Sequence, residues 1–320
     1  MEIKKYEVSI SNFQFQRFVD AYQILLKHSK ICKRSEVNYM EIIKVKDAGF
    51  CFGVQRAIDL ALKSAKKEKN YVYTLGPLIH NPQVCGKLRQ QGIIEAKNLN
   101  EIKSGVVILR SHGVPPKLYQ EIYNAGFKIV DAVCPSVKKV QLLAQQLKEE
   151  GYEVIVVGEK NHPEVMSIIG TVEGQTIVVE GPQEVKKLKL IRKVGVISQT
   201  TQTIDNFKKV VEILLDKAKE VKINNTICNA VENIQKNSLN IAKQVDLMLV
   251  VGGKNSANTT RLFQLCKECT KHTYHIEIAD EIDLSWLKGV MKIGITGGTS
   301  TPHWIIEQVE EKLKQIEDNK

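Results

Sequence analysis

Long apolar runs are missing from this sequence. None approaches the roughly 20 residues that a bilayer-spanning helix requires, which excludes a helical membrane protein. A secretory signal is missing as well, because the N-terminal MEIKKYEVSISNFQFQRF carries charges where a signal peptide has its apolar core. The same segment is too acidic and too poor in arginine for an organellar transit peptide, so the cytoplasm is the expected location. Aromatic residues are scarce, at 6% of 320 residues. They do not gather beside the lysines of ALKSAKKEKN or VKKLKLIRK, so a base-stacking surface is not expected despite a formal net charge of +10. Nucleic acid is therefore not an expected partner. The charge is read as solvated helix faces that also favour an acidic partner or an anionic substrate. No Walker loop occurs, and the nearest glycine-rich text, GITGGTSTP, lacks the G-x-G-x-x-G spacing of a dinucleotide site. An even cysteine count is absent too. Seven cysteines in such a chain argue against a disulfide framework and for thiols, metal ligands or nucleophiles.

What is present is an ordinary globular balance, 43% hydrophobic and 26% charged, with enough length for two or three compact units and a real core. Residues 1–39 read differently from the rest. NFQFQRFVDAYQILLKH fits one amphipathic helix, but SKICKRSEVNY has no clear period, so the segment is set apart as an N-terminal extension of unassigned role. From Met40 onward six segments run from β-branched residues into loops of Gly, His, Ser, Thr or Asn. They are YVYTLGPLIHN, GVVILRSHGVP, YEVIVVGEKNHPEV, KVGVISQTTQT, VDLMLVVGGKNSAN and MKIGITGGTSTP. Helical patterns such as VKKVQLLAQQLKEE and FKKVVEILLDKAKE separate them. Apolar strands alternating with helices indicate parallel sheets covered on both faces, and such sheets bind ligands beyond the carboxyl ends of their strands. The expected fold is α/β, with three similar units of mostly parallel sheet over residues 40–133, 134–221 and 222–320, their polar loops converging.

Cys51 in DAGFCFGVQRAIDLAL, Cys134 in KIVDAVCPSVKKVQLL and Cys228 in KINNTICNAVENIQKN each stand at a strand-to-helix junction, one in each proposed unit. The dipole of a helix N-terminus favours a thiolate, so lowered pKa values are expected there. Three converging thiolates would hold a metal or an iron–sulfur cluster with one open coordination site. Three unrelated buried cysteines are the alternative. The one CxxC, Cys266 and Cys269 in TTRLFQLCKECTKHTYHIE, falls within an apparent helix with neither a preceding strand nor a glycine, and is read as structural.

His80, His112 and His162 all occupy sheet-end loops, near Ser256, Asn258 and Ser300 of two others. Together they form a donor-rich set suited to an oxyanion such as a diphosphate, with imidazolium, hydroxyl, amide and backbone N–H groups available. Glu164 is out of place beside phosphate and is read as a proton carrier. The Thr200 hydroxyl could relay or orient that proton.

AGFCFGVQRAI, LIHNPQV, RSHGVP, DAVCPSVKKV, NHPEV, SQTT, GGKNSAN and GGTSTP occur together and in this order. They closely resemble the signatures of the 4-hydroxy-3-methylbut-2-enyl diphosphate reductase (IspH/LytB) family, from about residue 40 to near the C-terminus. The resemblance implies three α/β units around a central [4Fe-4S] cluster, one per chain, held by Cys51, Cys134 and Cys228 with one iron open to substrate. It implies an isoprenoid-pathway oxidoreductase that removes the substrate hydroxyl as water with two electrons and two protons, giving isopentenyl and dimethylallyl diphosphate. His80, His112, His162, Thr200, Ser256, Asn258 and Ser300 match the family's substrate-binding positions, and Glu164, His162 and Thr200 match those that handle the proton. A ferredoxin or flavodoxin is the implied electron donor. The chain departs from the family pattern at Ala257, where a second serine is usual, and at Val133, where threonine is. It departs again at Ser167, where glycine is frequent, and after Cys228, where CNAVENIQ lacks the usual threonine and arginine. Loss of one phosphate hydrogen bond at Ala257 would cost about 1.5–3 kcal/mol if nothing compensates. Two other readings of the residues are a diphosphate- or metal-binding descendant without catalysis and a zinc hydrolase with Glu164 as general base.

Overall fold

A computed structural model describes residues 40–319 apart from 69, 70, 173 and 175. The extension over residues 1–39 and its expected amphipathic helix lie outside the described residues. Among the described residues, twelve strands form three four-stranded sheets in which every pairing is parallel. One sheet has the order β3-β2-β4-β5, with β2 at Val72–Leu75, β3 at Ile93–Ala96, β4 at Val106–Leu109 and β5 at Lys128–Asp131. A second has the order β7-β6-β8-β9, from β6 at Glu153–Val157, β7 at Ile177–Val179, β8 at Ile191–Ser198 and β9 at Ala218–Ile223. The third, β1-β12-β10-β11, joins β1 at Glu41–Lys44 to β10 at Leu247–Val251, β11 at Thr273–Ile276 and β12 at Lys292–Gly297. This is the α/β architecture of three similar parallel units expected from the sequence.

The helices are α1 (Phe52–Lys67), α2 (Pro82–Gln90), α3 (Pro116–Asn124), α4 (Pro135–Glu149) and α5 (Pro163–Ile169), then α6 (Pro182–Lys186), α7 (Ile204–Lys217), α8 (Asn229–Ala242), α9 (Ala257–Cys269) and α10 (His303–Asp318). None of them is long and apolar enough to cross a membrane. Five begin with proline at the first turn, where the missing N–H costs no hydrogen bond.

Strand β1 corrects the expected grouping of 40–133 as one unit. It does not join β2 but pairs in register with β12, Glu41 opposite Lys292 through Lys44 opposite Ile295. The open edge of β12 offers a ladder, and Ile42 packs into the core of the third sheet. The Glu41–Lys292 ion pair at 3.1 Å crosses the same pairing. As a result each unit has the same plan. β5, β9 and β1 are the equivalent edge strands, and each leads through a cysteine into a helix that packs on a different sheet. Helix α1 packs on β2 and β4 through Ala57, Ile58 and Ala61. Helix α4 packs on β6 and β8 through Val140, Ala144 and Leu147. Helix α8 packs in the third core through Ile234 and Ala242. The chain thus passes from sheet to sheet three times, with a cysteine at every passage.

Candidate active site

Cys51, Cys134 and Cys228 are the N-caps of α1, α4 and α8, each with extended backbone and no side-chain capping bond. Their sulfurs are left available. Each main-chain N–H is fixed to a loop that follows a central strand: Cys51 donates to Thr299 O at 3.2 Å, Cys134 to Ser111 O at 3.0 Å and Cys228 to Thr200 O at 2.9 Å. A Cβ on Gly53 would lie 2.5 Å from the Cys134 sulfur and 3.9 Å from that of Cys51, so the glycine provides the space in which those sulfurs approach. Ser136 Oγ reaches to 3.9 Å from the Cys228 sulfur. One turn into α1, Arg56 donates to Asp131 O and Val133 O and so holds the segment leading into Cys134.

Burial pushes the Cys51 thiol up, and the nearby Cys134 and Cys228 thiols add to the shift. This corrects the expectation of a lowered pKa at that junction. The N–H groups of Val54 and Gly53 do favour the thiolate, but desolvation outweighs them. A cationic group among the sulfurs would reverse the balance, because a coordinating thiol is deprotonated outright. Among the described residues, the one trio of metal-ligating atoms all within 4.8 Å of each other belongs to His80, His112 and His162. The three cysteine sulfurs do not meet that condition. Three thiols make a soft donor set, the kind that iron–sulfur clusters take.

The histidine trio stands beyond the strand ends as expected. Ring centroids are 4.3 Å apart for His80 and His112, 5.6 Å for His80 and His162, and 5.5 Å for His112 and His162. His162 caps α5, and its Nδ1 accepts the Glu164 N–H at 3.1 Å. That contact assigns the neutral ring proton to Nε2, leaving a donor to face the cavity. His80 Nε2, His112 Nδ1 and Asn258 Nδ2 are buried with no partner, which is costly unless a ligand completes them. Burial lowers the basicity of all three rings, reinforced by Arg110 and by the rings' mutual repulsion, and His162 is lowered to about 3. The expected imidazolium set is therefore neutral in the unliganded protein. The cations that bias the trio, Arg110 and Arg261, also decide what it attracts: an anion rather than a metal ion.

Ser256 caps α9 by accepting the Thr259 N–H, and Ser300 donates towards Ser256 Oγ and His80 O, both at 3.3 Å. These groups, with His80, His112, His162 and Asn258, line a small cavity of ≈ 50 Å³. The cavity adjoins an open pocket of ≈ 510 Å³ that His80 and His162 share with Lys254, Asn255 and Arg261. Glu164 is 2% exposed. One of its oxygens accepts the Thr200 N–H at 2.6 Å and the other the Thr200 hydroxyl at 2.8 Å. Burial raises its pKa to about 7 against the pull of those two bonds and of Arg261. A carboxyl poised near neutrality within reach of a hydroxyl can deliver and recover a proton.

Every candidate named from sequence thus lies in this one region, and sequence reasoning missed several others. Arg110 precedes the SHG of its loop, its Nε buried and without a partner. Nothing in a lone arginine of that segment marked it. The backbone bonds from Thr299, Ser111 and Thr200 to the cysteines left no side-chain signature either. Ser167, noted only as a departure, is fully buried and lies 2.7 Å from Glu164 O and 3.0 Å from His112 O. It ties α5 to the His112 loop. Val133 is buried in the core beside Val137, where a hydroxyl would lack water, and Ala257 borders the cavity. Helix α9 follows strand β10 and ends at Cys269, and TYHI is strand β11, so the expected unpreceded helix through TTRLFQLCKECTKHTYHIE is shorter and has a strand before it. Cys266 is buried, its thiol pushed up to about 12, whereas Cys269 is exposed.

A family model described as LytB protein matches residues 42–314. The chain is 46% identical over 281 residues to the 4-hydroxy-3-methylbut-2-enyl diphosphate reductase of Geobacter metallireducens, covering 88% of this chain and 99% of that protein. It is 46% identical over 281 residues to the protein of the same name from Aquifex aeolicus, covering 87% and 97%. Two solved structures are similar. One is an (E)-4-hydroxy-3-methyl-but-2-enyl diphosphate reductase described as the terminal enzyme of the non-mevalonate pathway, 44% identical, with a TM-score of 0.64 over 87% of this chain and 100% of that one. The other is the E-1-hydroxy-2-methyl-but-2-enyl-4-diphosphate reductase of Plasmodium falciparum, 29% identical, with a TM-score of 0.82 over 85% and 87%.

Proposed function

The chain belongs to the LytB protein family, and on that premise we propose how its own residues carry out a reductive dehydroxylation. It is an enzyme of isoprenoid biosynthesis, a reductase of (E)-4-hydroxy-3-methylbut-2-enyl diphosphate. Two electrons and two protons replace the C–OH bond with C–H and release water, giving isopentenyl or dimethylallyl diphosphate. The diphosphate occupies the cavity between the units. His80 and His112 turn their unpartnered nitrogens to it, His162 donates from Nε2, and Asn258, Ser256 and Ser300 complete the cradle. Arg110 draws the anion in, since it stands beside the trio with an unpaired Nε of its own.

Cys51, Cys134 and Cys228 would hold a [4Fe-4S] cluster as its three protein ligands. When bound, that group supplies the electrons and an open iron for the substrate hydroxyl. The chain itself handles the protons. Glu164 holds one near neutral pH, and Thr200 orients the carboxyl through two hydrogen bonds. Burial of both keeps bulk water from competing for it. Thr200 also accepts the Cys228 N–H through its carbonyl, so the proton carrier and one sulfur share a single backbone step.

Electrons would arrive from a small acidic carrier of the ferredoxin or flavodoxin class. Phe52, Pro135 and Asn229, each directly after a cysteine, are all solvent-exposed. Three helix N-termini open there, and the net charge of +10 favours an acidic partner.

One observation carries the reading: three capping cysteines are each hydrogen-bonded through the main chain to the Thr299, Ser111 and Thr200 loops, which also border a cavity with three orphaned polar nitrogens and hold the buried Glu164–Thr200 pair. The test is purification without oxygen, iron and sulfide analysis, and turnover of the diphosphate alcohol with a chemical reductant. Near four irons and four sulfides per chain with formation of both isoprenoid diphosphates is expected. Iron-free protein after anaerobic reconstitution would overturn the assignment.

A further inference from the structure

Arg261 holds no atom of the reaction above, yet it joins helix α9 to two of the loops that make the site. It lies on α9 one turn beyond Asn258, with only 15% of its side chain exposed. One arm of the guanidinium meets Glu159 Oε1 at 2.7 Å, and the other donates to Thr201 O at 2.7 Å. Glu159 and Thr201 stand in the two loops that follow β6 and β8. The first of these loops ends in the His162 cap, where the His162 N–H donates to Glu159 O at 3.0 Å. The second contains Thr200, which holds Glu164 through two hydrogen bonds. The two loops are also bound to each other, because Gln199 Oε1 accepts the Glu159 N–H at 3.0 Å.

The geometry points to Arg261 as a positioning residue that couples grip on the diphosphate, through the N-terminus of α9, to the alignment of the Glu164–Thr200 pair. This rests on the reading of the site given above. Helix α9 carries Ser256 at its cap and Asn258 in its first turn. A shift of this helix when the anion seats is passed through a rigid bidentate fork to both loops of the second sheet. A lysine could not replace the fork, since its ammonium has one point of charge and no fixed pair of donors. A second link runs through charge: Arg261 favours the ionised Glu164, whereas Glu159, from the β6 loop, opposes it. These are the charged groups facing Glu164, whose remaining partners are the Thr200 N–H and hydroxyl.

The experiment compares Arg261→Gln, Arg261→Lys and Glu159→Gln with the unaltered holoenzyme. It reads kcat and KM for the diphosphate alcohol, iron content, and the Glu164 carboxyl band in an infrared pH titration, identified by its loss in Glu164→Gln. A kcat loss on the order of 100-fold is expected for Arg261→Gln, as for a catalytic group displaced by about 1 Å. KM should change far less, and iron content should be kept. The carboxyl midpoint should rise, because the cation that favours ionisation is gone. Arg261→Lys should keep the midpoint near that of the unaltered protein yet lose kcat. In Glu159→Gln kcat should fall while the midpoint moves down. A rise in KM at unchanged kcat would make Arg261 a simple anion ligand and overturn the inference. An unmoved midpoint in Arg261→Gln would overturn it too. Should Arg261→Gln fail to fold, the other two variants still decide it: loss of kcat in both, with the midpoint held in Arg261→Lys and lowered in Glu159→Gln, supports the inference, and kcat kept in both overturns it. The infrared reading does not depend on turnover, so an inactive parent enzyme would overturn the functional reading, while an unmoved midpoint in an active one would overturn this inference alone.

Discussion

Glu164 is held between two opposed influences. Thr200 donates twice to its carboxylate and Arg261 adds positive charge, both favouring the ion, while complete burial favours the acid and prevails, at a pKa of about 7. A folded-state pKa raised from 4.5 means that the native protein binds more protons than the unfolded chain between those two values. Stability from this group therefore falls as pH rises from about 4.5 to about 7, by roughly 3 kcal/mol in all. Glu164→Gln removes that dependence. The variant should gain thermal stability relative to the parent at pH 8 and gain much less at pH 5, checked by paired melting curves. Its kcat should fall by about 10²–10⁴-fold with iron content unchanged. The histidines have the reverse bias: His80, His112 and His162 are held neutral by burial and by the cations around them. An anion seated among them restores their basicity, so binding should take up protons at neutral pH. Calorimetric titration with inorganic diphosphate in buffers of different ionisation enthalpy measures this directly. Net uptake is expected, and zero uptake would mean that the rings bind as neutral donors.

At the scale of elements, the two central strands of each sheet are the ones that announced themselves. β2, β4 and β10 are buried throughout, and β6, β8 and β12 almost so, because a parallel strand covered on both faces must be apolar along its length. The polar loop after each marks the carboxyl end, so the six site loops were legible. The edge strands were not. β5 and β9 are lined by half-exposed and charged residues, and AKE at the start of β9 reads as more of the preceding helix, FKKVVEILLDKAKE. Helix α7 ends at Lys217 because the next residues find the free edge of β8, a tertiary choice that local propensity does not contain. In the site, side-chain types carried the signal, so histidines, serines and cysteines were found while the backbone bonds that gather them were silent. Gly53 shows the limit of such reading. A glycine two residues after a cysteine permits close approach, but the partner, the Cys134 sulfur across a unit boundary, required the fold. Gly53→Ala puts a methyl 2.5 Å from that sulfur. It should lower iron and sulfide per chain several-fold after anaerobic reconstitution, while circular dichroism reports unchanged helix content.

For the whole molecule, the decisive contact is between the two ends of the described chain. Three repeats that each hand a helix to a different sheet leave one sheet short of a strand and one strand short of a sheet. Pairing β1 with β12 resolves both at once. Cys51 depends on that closure, because its only route into the site is the seven-residue path from Lys44, along which Val45 N–H donates to Ile295 O at 2.8 Å and Cys51 N–H to Thr299 O at 3.2 Å. Cys134 and Cys228 need no such help, being carried between β5 and α4 and between β9 and α8. Truncation should therefore act as a step. A chain beginning at Met40 keeps β1 and its ladder, and it should bind iron as the full chain does. A chain beginning at Gly49 keeps all three cysteines but loses β1 and the Val45 bond, leaving the apolar edge of β12 open. It should reconstitute with less than half the iron and aggregate through that edge, as light scattering would report. Equal iron in the two truncated chains would mean that the Thr299 bond and α1 packing alone hold Cys51 in place, and that ring closure serves stability rather than the site.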